Sequence, residues 1–239
     1  MLLKEIEMDW PYHINKEFVQ QLQEEHELGY EEAVRKDYEI NWKGKRREFQ
    51  LMTRCMTAMV ERIMLPVKTK DCWKILVECV NICTDKTYKN LLGVYTIQVE
   101  FDFETFFDST DSEKKSIIID TINEAINRIS AQITFDVSNI SEACKKVRNC
   151  GYSNEWLWKK TIKLQGKTIG IQIKHDIQTV EIYMLFMDKS KNVLGKSLLV
   201  KTIPDERVYG RYLGHLEVIS EKEVALITKD EERIIGVCN

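Results

Sequence analysis

Apolar residues recur at helical spacing through the first third of the chain. Asn15 precedes KEFVQQLQEEHEL, whose apolar positions share one helical face, so the pattern predicts a helix capped by Asn15. A second short helix is expected after Gly29. The segment GKRREFQLMTRCMTAMVERIML predicts a longer helix, which Pro66 ends because proline disrupts helical hydrogen bonding.

The segment DCWKILVECVNIC predicts a fourth helix. Cys72, Leu76, Cys79 and Cys83 lie at offsets of 4, 7 and 11, which is the spacing of one helical face. Two cysteines one turn apart, Cys79 and Cys83, resemble half of a zinc site, but no neighbouring cysteine or histidine pair completes it. We therefore expect buried thiols on the inner face of this helix.

From Leu92 the hydrophobic period changes from helix to strand and back again. The segment VYTIQVEFDF alternates as a β-strand does, with Asp102 and Glu104 on the face opposite Phe101 and Phe103. A further helix over residues 110–133 and another over residues 138–151 follow. Thr110 with Glu113 forms a capping-box pattern at the start of the first of these helices.

In the second of these helices, Ser138 is the expected cap and Gly151 the expected end. Beyond Gly151 the pattern is almost entirely β. Alternating runs are separated by turn sequences at residues 165–167, 188–192 and 229–232, so hairpins are predicted, with one strand at TIGIQIK.

These patterns predict an α+β fold in which a helical N-terminal half packs with a mainly antiparallel β-sheet in the C-terminal half. We expect a helical subdomain over residues 1–91 and an α+β subdomain over residues 92–239, or one continuous domain. The composition, 44% hydrophobic and 31% charged over 239 residues, is that of a globular protein.

The start of the chain, MLLKEIEMDW, has too short an apolar run for a signal peptide, and no run approaches the roughly 20 residues of a membrane span. We therefore expect a cytoplasmic protein, without membrane contact, whose seven cysteines are reduced. No cofactor is indicated. A net charge of −3 argues against general nucleic-acid binding.

Charge is distributed unevenly at the start of the chain. Residues 1–42 hold eleven acidic and four basic side chains, whereas residues 43–74 hold nine basic and three acidic. The two segments could neutralise each other through surface ion pairs worth less than about 1 kcal/mol each. Alternatively the acidic run faces a basic protein partner. Its candidate partner-binding residues are Glu24, Glu25, Glu27, Glu31, Glu32, Asp37 and Glu39.

Two tryptophans, Trp156 and Trp158, lie two positions apart, so a strand projects both to the same side. Tryptophan is enriched at interface hot spots, which makes this pair a further candidate for partner binding. It is also an ordinary core residue. The sequence leaves both interpretations open.

Catalytic motifs are weak in this chain, and a non-catalytic protein is favoured. A phosphate-binding loop at GKS, residues 195–197, would need a glycine where Ser190 stands. The alternative function is a metal-dependent hydrolase or nuclease. It would use the acidic cluster of Asp102, Glu104 and Asp108, or alternatively His175 with Asp176.

The order of elements from residue 93 to about 190 resembles small cytoplasmic immunity proteins encoded beside bacterial polymorphic toxins. The resemblance consists of a strand VYTIQVEFDF, a helix TDSEKKSIIIDTINEAINRI, a helix ending in glycine, and NEWLWKK leading into antiparallel strands. It implies a non-catalytic protein that binds a toxin domain, such as a nuclease, and blocks its active site. An acidic surface suits that role, because nuclease active sites are basic where they hold phosphates.

Overall fold

The computed structural model describes residues 1–133 and 135–237. It confirms an α+β fold, with helices mostly in the N-terminal half and antiparallel sheets in the C-terminal half. The chain forms two compact units, Met1–Tyr152 and Ser153–Asn239. The predicted subdomain boundary at residues 91 and 92 instead falls in the turn of a hairpin within the first unit.

The first unit combines helices with a four-stranded sheet. Its elements are β1 (Glu5–Asp9), α1 (Lys16–His26), α2 (Tyr30–Asp37), a π-helical turn (Tyr38–Trp42), α3 (Lys43–Ile63), β2 (Lys74–Val80), β3 (Lys89–Leu91), β4 (Val94–Glu100), α4 (Phe103–Asp108), α5 (Asp111–Ser130) and α6 (Ser138–Asn149).

The sheet of the first unit has the strand order β1-β2-β4-β3. Strands β1, β2 and β4 are parallel, and β3 is antiparallel to β4. Alternate residues such as Ile75, Val77 and Cys79 are buried on one face, where the core lies. Because β1, β2 and β4 are parallel, their carboxyl ends meet at one edge of the sheet.

Helix α3 covers the outer edge of β1. The backbone N–H of Ile6 donates to Glu61 Oε1 at 2.7 Å, and Arg54 Nη1 lies 3.5 Å from the Ile6 carbonyl oxygen. An edge strand would otherwise present unpaired backbone groups to other chains. Polar side chains of α3 therefore contact the outward-facing N–H and carbonyl groups of Ile6 on this edge.

The predicted helix over DCWKILVECVNIC is wrong, because Lys74–Val80 is strand β2. A short apolar run is compatible with the periodicity of a helix and with that of a strand. Here Ile75, Val77 and Cys79 alternate as in a strand, and the segment pairs with β1 and β4. The expected burial of Cys72 and Cys79 is confirmed, whereas Cys83 is only half-buried. Burial raises the pKa of the Cys72 thiol to about 11, so it stays protonated.

The end signals of the helices mostly match the structure. Thr110 and Glu113 form the predicted capping box on α5, with the Thr110 N–H donating to Glu113 Oε2 at 2.8 Å. Gly151, at a φ of +65°, follows the end of α6 as predicted. Ser138 differs, because it is the first residue of α6, and its N–H donates to Asp136 Oδ1 at 2.7 Å.

The second unit is built from antiparallel strands. Its elements are β5 (Glu155–Leu164), β6 (Lys167–His175), β7 (Val180–Met187), β8 (Val193–Thr202), α7 (Glu206–Tyr209), β9 (His215–Val218), β10 (Glu223–Ile227) and β11 (Arg233–Val237).

The strands of the second unit form two sheets, in the orders β5-β6-β7-β8 and β11-β10-β9. The predicted inner face of β6 is confirmed, since Ile169, Ile171 and Ile173 are fully buried in one cluster with Val224 and Leu226 of β10. Within residues 1–133 and 135–237, no helix combines the length and the apolar content needed to cross a membrane.

Candidate partner-binding surface

Helices α1 and α2 pack on each other around a small apolar cluster of Val19, Leu22 and Ala33. Their opposite faces carry carboxylates, as expected for amphipathic helices at a surface. Six of the predicted partner-binding residues are exposed. We call these six the acidic surface: Glu24, Glu25, Glu27, Glu31, Glu32 and Glu39.

The carboxylates of the acidic surface have only local partners among the residues that the structure describes. Glu24 and Glu25 accept hydrogen bonds from the glutamine amides one helical turn earlier, at 2.8 and 2.9 Å. Glu32 lies 3.8 Å from Arg35 of its own helix. Amide donors leave the charge of a carboxylate uncompensated, so the surface remains acidic.

The arginines of α3 are bound to other carboxylates. Arg46 donates to both oxygens of Asp9, from Nε at 2.7 Å and from Nη2 at 2.6 Å, and Gln50 adds a third bond at 2.9 Å. Arg54 is paired with Glu61 at 2.7 Å. The pKa of the Arg46 guanidinium is raised, and the hydrogen bond to Asp9 is the largest cause of this shift. These two arginines therefore do not neutralise the acidic surface.

The prediction that Asp37 faces a partner together with the other acidic residues is wrong, because its side chain points inward. It is 1% exposed and accepts hydrogen bonds from Tyr12 Oη at 2.6 Å, the Asn15 N–H at 3.0 Å and Asn41 Nδ2 at 2.9 Å. It lies one helical turn after buried Ala33, on the inner face of α2. Burial alone would raise the pKa of Asp37, but these bonds lower it overall.

The Asp37 contacts fix the acidic helices to the residues that follow β1. Tyr12 reaches Asp37 from the segment between β1 and α1. Trp42, at the end of the π-helical turn, lies 4.8 Å from the ring of Trp10, and its Nε1 is 3.4 Å from the Trp10 carbonyl oxygen. The acidic surface is therefore held in a fixed position relative to the carboxyl end of β1.

A cleft of about 620 Å³ opens at the carboxyl edge of the parallel strands. Trp10 follows β1, Asn81 follows β2, and residues 100–104 run from the end of β4 into α4. In open sheets with parallel strands, ligands bind outside these carboxyl ends. The residues that line the cleft are Trp10, Asn81, Glu100, Phe101, Asp102, Phe103 and Glu104.

Three of the residues that line this cleft are aromatic, and we call them its aromatic base. Trp10 and Phe103 are stacked with centroids 4.1 Å apart and planes 16° apart, and Phe101 lies 4.9 Å from Phe103. Phe101 and Phe103 are buried. The aromatic base is therefore closely packed, and the lining also includes three exposed carboxylates.

The position predicted for Asp102 and Glu104, on one face of a strand, is wrong. Strand β4 ends at Glu100, and Asp102 is the N-cap of α4. Its carboxylate accepts hydrogen bonds from the N–H and the hydroxyl of Thr105, at 3.0 and 2.6 Å. Both bonds lower the pKa of Asp102, and the bond from the hydroxyl has the larger effect. An N-cap side chain accepts a hydrogen bond from a backbone N–H in the first turn of a helix. The chain therefore begins a helix at this point, although the alternation of apolar and polar residues continues from the preceding strand.

The two alternative metal sites, the acidic cluster and the pair of His175 with Asp176, lie in different units. Asp108 ends α4 and does not line the cleft. His175 is buried with its ring 5.5 Å from that of Tyr209, and Asp176 accepts from the Ile177 N–H at 2.9 Å. In the described part of the chain, no group of three or more histidine, cysteine, aspartate or glutamate residues is arranged to hold a metal ion.

The predicted pair Trp156 and Trp158 packs toward the inside of the second unit. Both rings are half-buried against the cluster that includes Ile171 and Met184, whereas Leu157 between them is 49% exposed. Lys160 Nζ lies 5.0 Å from the Trp158 ring. The structure thus places these tryptophans at the core, which was one of the two interpretations that the sequence left open.

Sequence reasoning missed the cleft residues Trp10, Asn81 and Glu100. Only their position in the chain could have identified them, because each lies at or just after the carboxyl end of a parallel strand. It could be found only once β2 was recognised as a strand. Comparison with protein families, with curated proteins and with solved structures gave no match to this chain.

Proposed function

We propose that the chain is a non-catalytic binding protein that neutralises a toxin domain with a basic surface, in the manner of bacterial immunity proteins. One observation carries this proposal. The carboxylates of the acidic surface are exposed, while Arg46 and Arg54 of the neighbouring helix are paired with Asp9 and Glu61. The acidic field of α1 and α2 is thus available to a partner.

Electrostatic complementarity would act mainly on the encounter between the two proteins. A charged surface steers a partner of opposite sign and raises the association rate, most strongly at low salt. A toxin domain that acts on nucleic acid holds phosphates with lysine and arginine side chains. An acidic surface that covers those side chains would exclude the phosphates from the toxin's active site.

The anchoring of the acidic helices supports this role because an ordered surface loses less entropy on binding. Asp37 joins α2 to Tyr12 and to the N-cap of α1, Asn15, through two hydrogen bonds, and it accepts a third from Asn41 in the π-helical turn. Trp42 adds an aromatic contact with Trp10. The carboxylates therefore project from helices that are already positioned.

Co-expression with the product of the adjacent gene tests the proposal. The expected result is a one-to-one complex on size-exclusion chromatography and survival of cells that the gene product alone would kill. The charge variant carries Glu24→Gln, Glu25→Gln, Glu31→Gln and Glu32→Gln. The matched control changes four exposed residues elsewhere, Glu142→Gln, Glu221→Gln, Glu231→Gln and Glu232→Gln.

Both variants lose the same charge, so a general effect of net charge would weaken both complexes equally. We expect the charge variant to bind about tenfold more weakly at low salt, and the control to bind as the wild type does. Absence of a complex at micromolar concentration would contradict the proposed function.

A further inference from the structure

We propose that the cleft at the carboxyl edge of the sheet receives an arginine side chain of the protein partner. The inference rests on the proposed function and extends it, because it names a second contact site on the same unit. It is carried by three features of the cleft: its charge, its size and its aromatic base.

The sign of the ligand follows from the lining. Glu100, Asp102 and Glu104 contribute three exposed carboxylates, and none of the seven lining residues is basic. At the start of α4, the Thr105 N–H already donates to the Asp102 carboxylate, so this N–H is not available to an anion. Hydrogen bonds lower the pKa of Asp102, so this carboxylate is ionised at neutral pH. A cation fits this cleft, and an anion does not.

The size of the cleft indicates an organic cation. A volume of about 620 Å³ lies in the range of small-molecule sites and far exceeds that of a coordinated metal ion. Glu100, Asp102 and Glu104 are also not among residues arranged to coordinate a metal in the described part of the chain. A guanidinium group can bridge separate carboxylates because it presents five N–H donors in one plane.

The aromatic base suits the rest of an arginine side chain. Arginine carries an apolar stem behind its charged end, and such stems pack on apolar surface while the charge stays near water. Trp10, which is half-buried, provides apolar surface in the lining, and its ring is stacked on the buried ring of Phe103, which contacts Phe101. A small inorganic cation or a bare ammonium ion would leave this part of the cleft unused.

The cleft also adjoins the acidic surface. Trp10 lines the cleft and at the same time contacts Trp42, whose π-helical turn contains Glu39. A basic partner that approaches the acidic surface therefore meets a second acidic site of the same unit. Two contacts on one unit would fix the orientation of the partner as well as its position.

The test uses the full chain and a probe that contains no other part of a partner. The probe is acetyl-Gly-Arg-Gly-amide, and its neutral match is the same peptide with citrulline in place of arginine. Binding is followed by the indole ¹H–¹⁵N resonance of Trp10, which is assigned with Trp10→Phe. We expect a saturable shift with the arginine peptide at millimolar concentration, as for a fragment of a larger ligand, and none with the citrulline peptide.

Two variants locate the site. In the cleft variant, Glu100→Gln, Asp102→Asn and Glu104→Gln remove three charges, and asparagine keeps the cap of α4. In the control, Glu24→Gln, Glu25→Gln and Glu27→Gln remove three charges from the acidic surface. The cleft variant should bind the arginine peptide about tenfold more weakly, and the control should bind it as the wild type does.

The other indole resonances report whether each variant is folded. Equal shifts with the arginine and citrulline peptides, or equal weakening in both variants, would overturn the cleft assignment. So would the absence of any shift up to about 10 mM. A chain that forms the toxin complex but fails this peptide test loses only the cleft assignment, whereas one that binds the peptide but forms no complex contradicts the proposed function.

Discussion

Arg46 and Asp9 are joined by two parallel hydrogen bonds of 2.7 and 2.6 Å, between the first turns of α3 and the last residue of β1. Charge-assisted, bidentate pairs of this kind are among the strong polar contacts in proteins. The pair binds one basic side chain of α3, that of Arg46, to the sheet. The charges of Arg46 and Asp9 therefore stabilise the fold at the sheet, whereas the carboxylates of the acidic surface remain exposed.

Replacement of Arg46 should destabilise the fold. In Arg46→Ala the buried Asp9 carboxylate keeps only its bond from Gln50, and an uncompensated buried charge costs about 3 kcal/mol. Urea denaturation should show this loss in the free energy of unfolding, and Lys45→Ala at an exposed neighbour should show almost none. Adding Asp9→Asn to Arg46→Ala should recover part of the loss. A single variant as stable as the wild type would mean that the pair is not structural.

Asp37 should make the stability depend on acid pH. Its pKa is lower in the folded state than in the unfolded chain, where aspartate has a pKa of about 3.9. The carboxylate therefore stabilises the fold above pH of about 4, and this contribution is lost as pH falls through the folded pKa. Urea midpoints at pH 7 and pH 3 should differ less in Asp37→Asn than in the wild type. Identical pH dependence in both proteins would contradict this account.

Leu92 occupies an unfavourable backbone conformation. It has a φ of +52°, is 90% exposed, and forms with Gly93 the two-residue turn between β3 and β4. Turns with positive φ at both positions favour asparagine at the first, because bulky side chains are strained there. Leu92→Asn should raise the free energy of unfolding by about 0.5–1 kcal/mol, and Leu92→Val should lower it. Thermal unfolding that gives the same sign for both changes would refute the argument.

The capping box of α5 can be tested with two substitutions. Thr110→Ala removes the hydroxyl that accepts the Glu113 N–H, and should cost about 1 kcal/mol of stability. Thr110→Ser keeps the hydroxyl and should be close to the wild type. Equal effects of the two substitutions, measured by thermal unfolding, would show that the lost methyl group matters and the cap does not.

Local signals in the sequence predicted much of the fold. The cap of α5, the end of α6 at Gly151 and the alternating isoleucines of β6 were predicted because each depends on a few neighbouring residues. Strand β2 was missed because its short apolar run fits a helix equally well, and only pairing with β1 and β4 distinguishes the two. Such pairing joins residues far apart in the chain.

The candidate surface was predicted less completely. Exposure of the glutamates follows from helical periodicity, but burial of Asp37 depends on Tyr12 and Asn41, which the pattern of α2 does not reveal. The cleft depends on three strand ends that come together only in the sheet. Residues that form a site through tertiary contacts have no common signal in a single sequence.

The role of the acidic surface is best measured as the association rate of this chain with the adjacent gene product, by stopped-flow fluorescence at about 50 and 500 mM salt. If the acidic surface steers a basic partner, the wild-type rate falls at least about tenfold between these conditions, and the low-salt rate is reduced in the variant with Glu24→Gln, Glu25→Gln, Glu31→Gln and Glu32→Gln. A rate that is independent of salt, and equal in that variant and the wild type, would contradict this role.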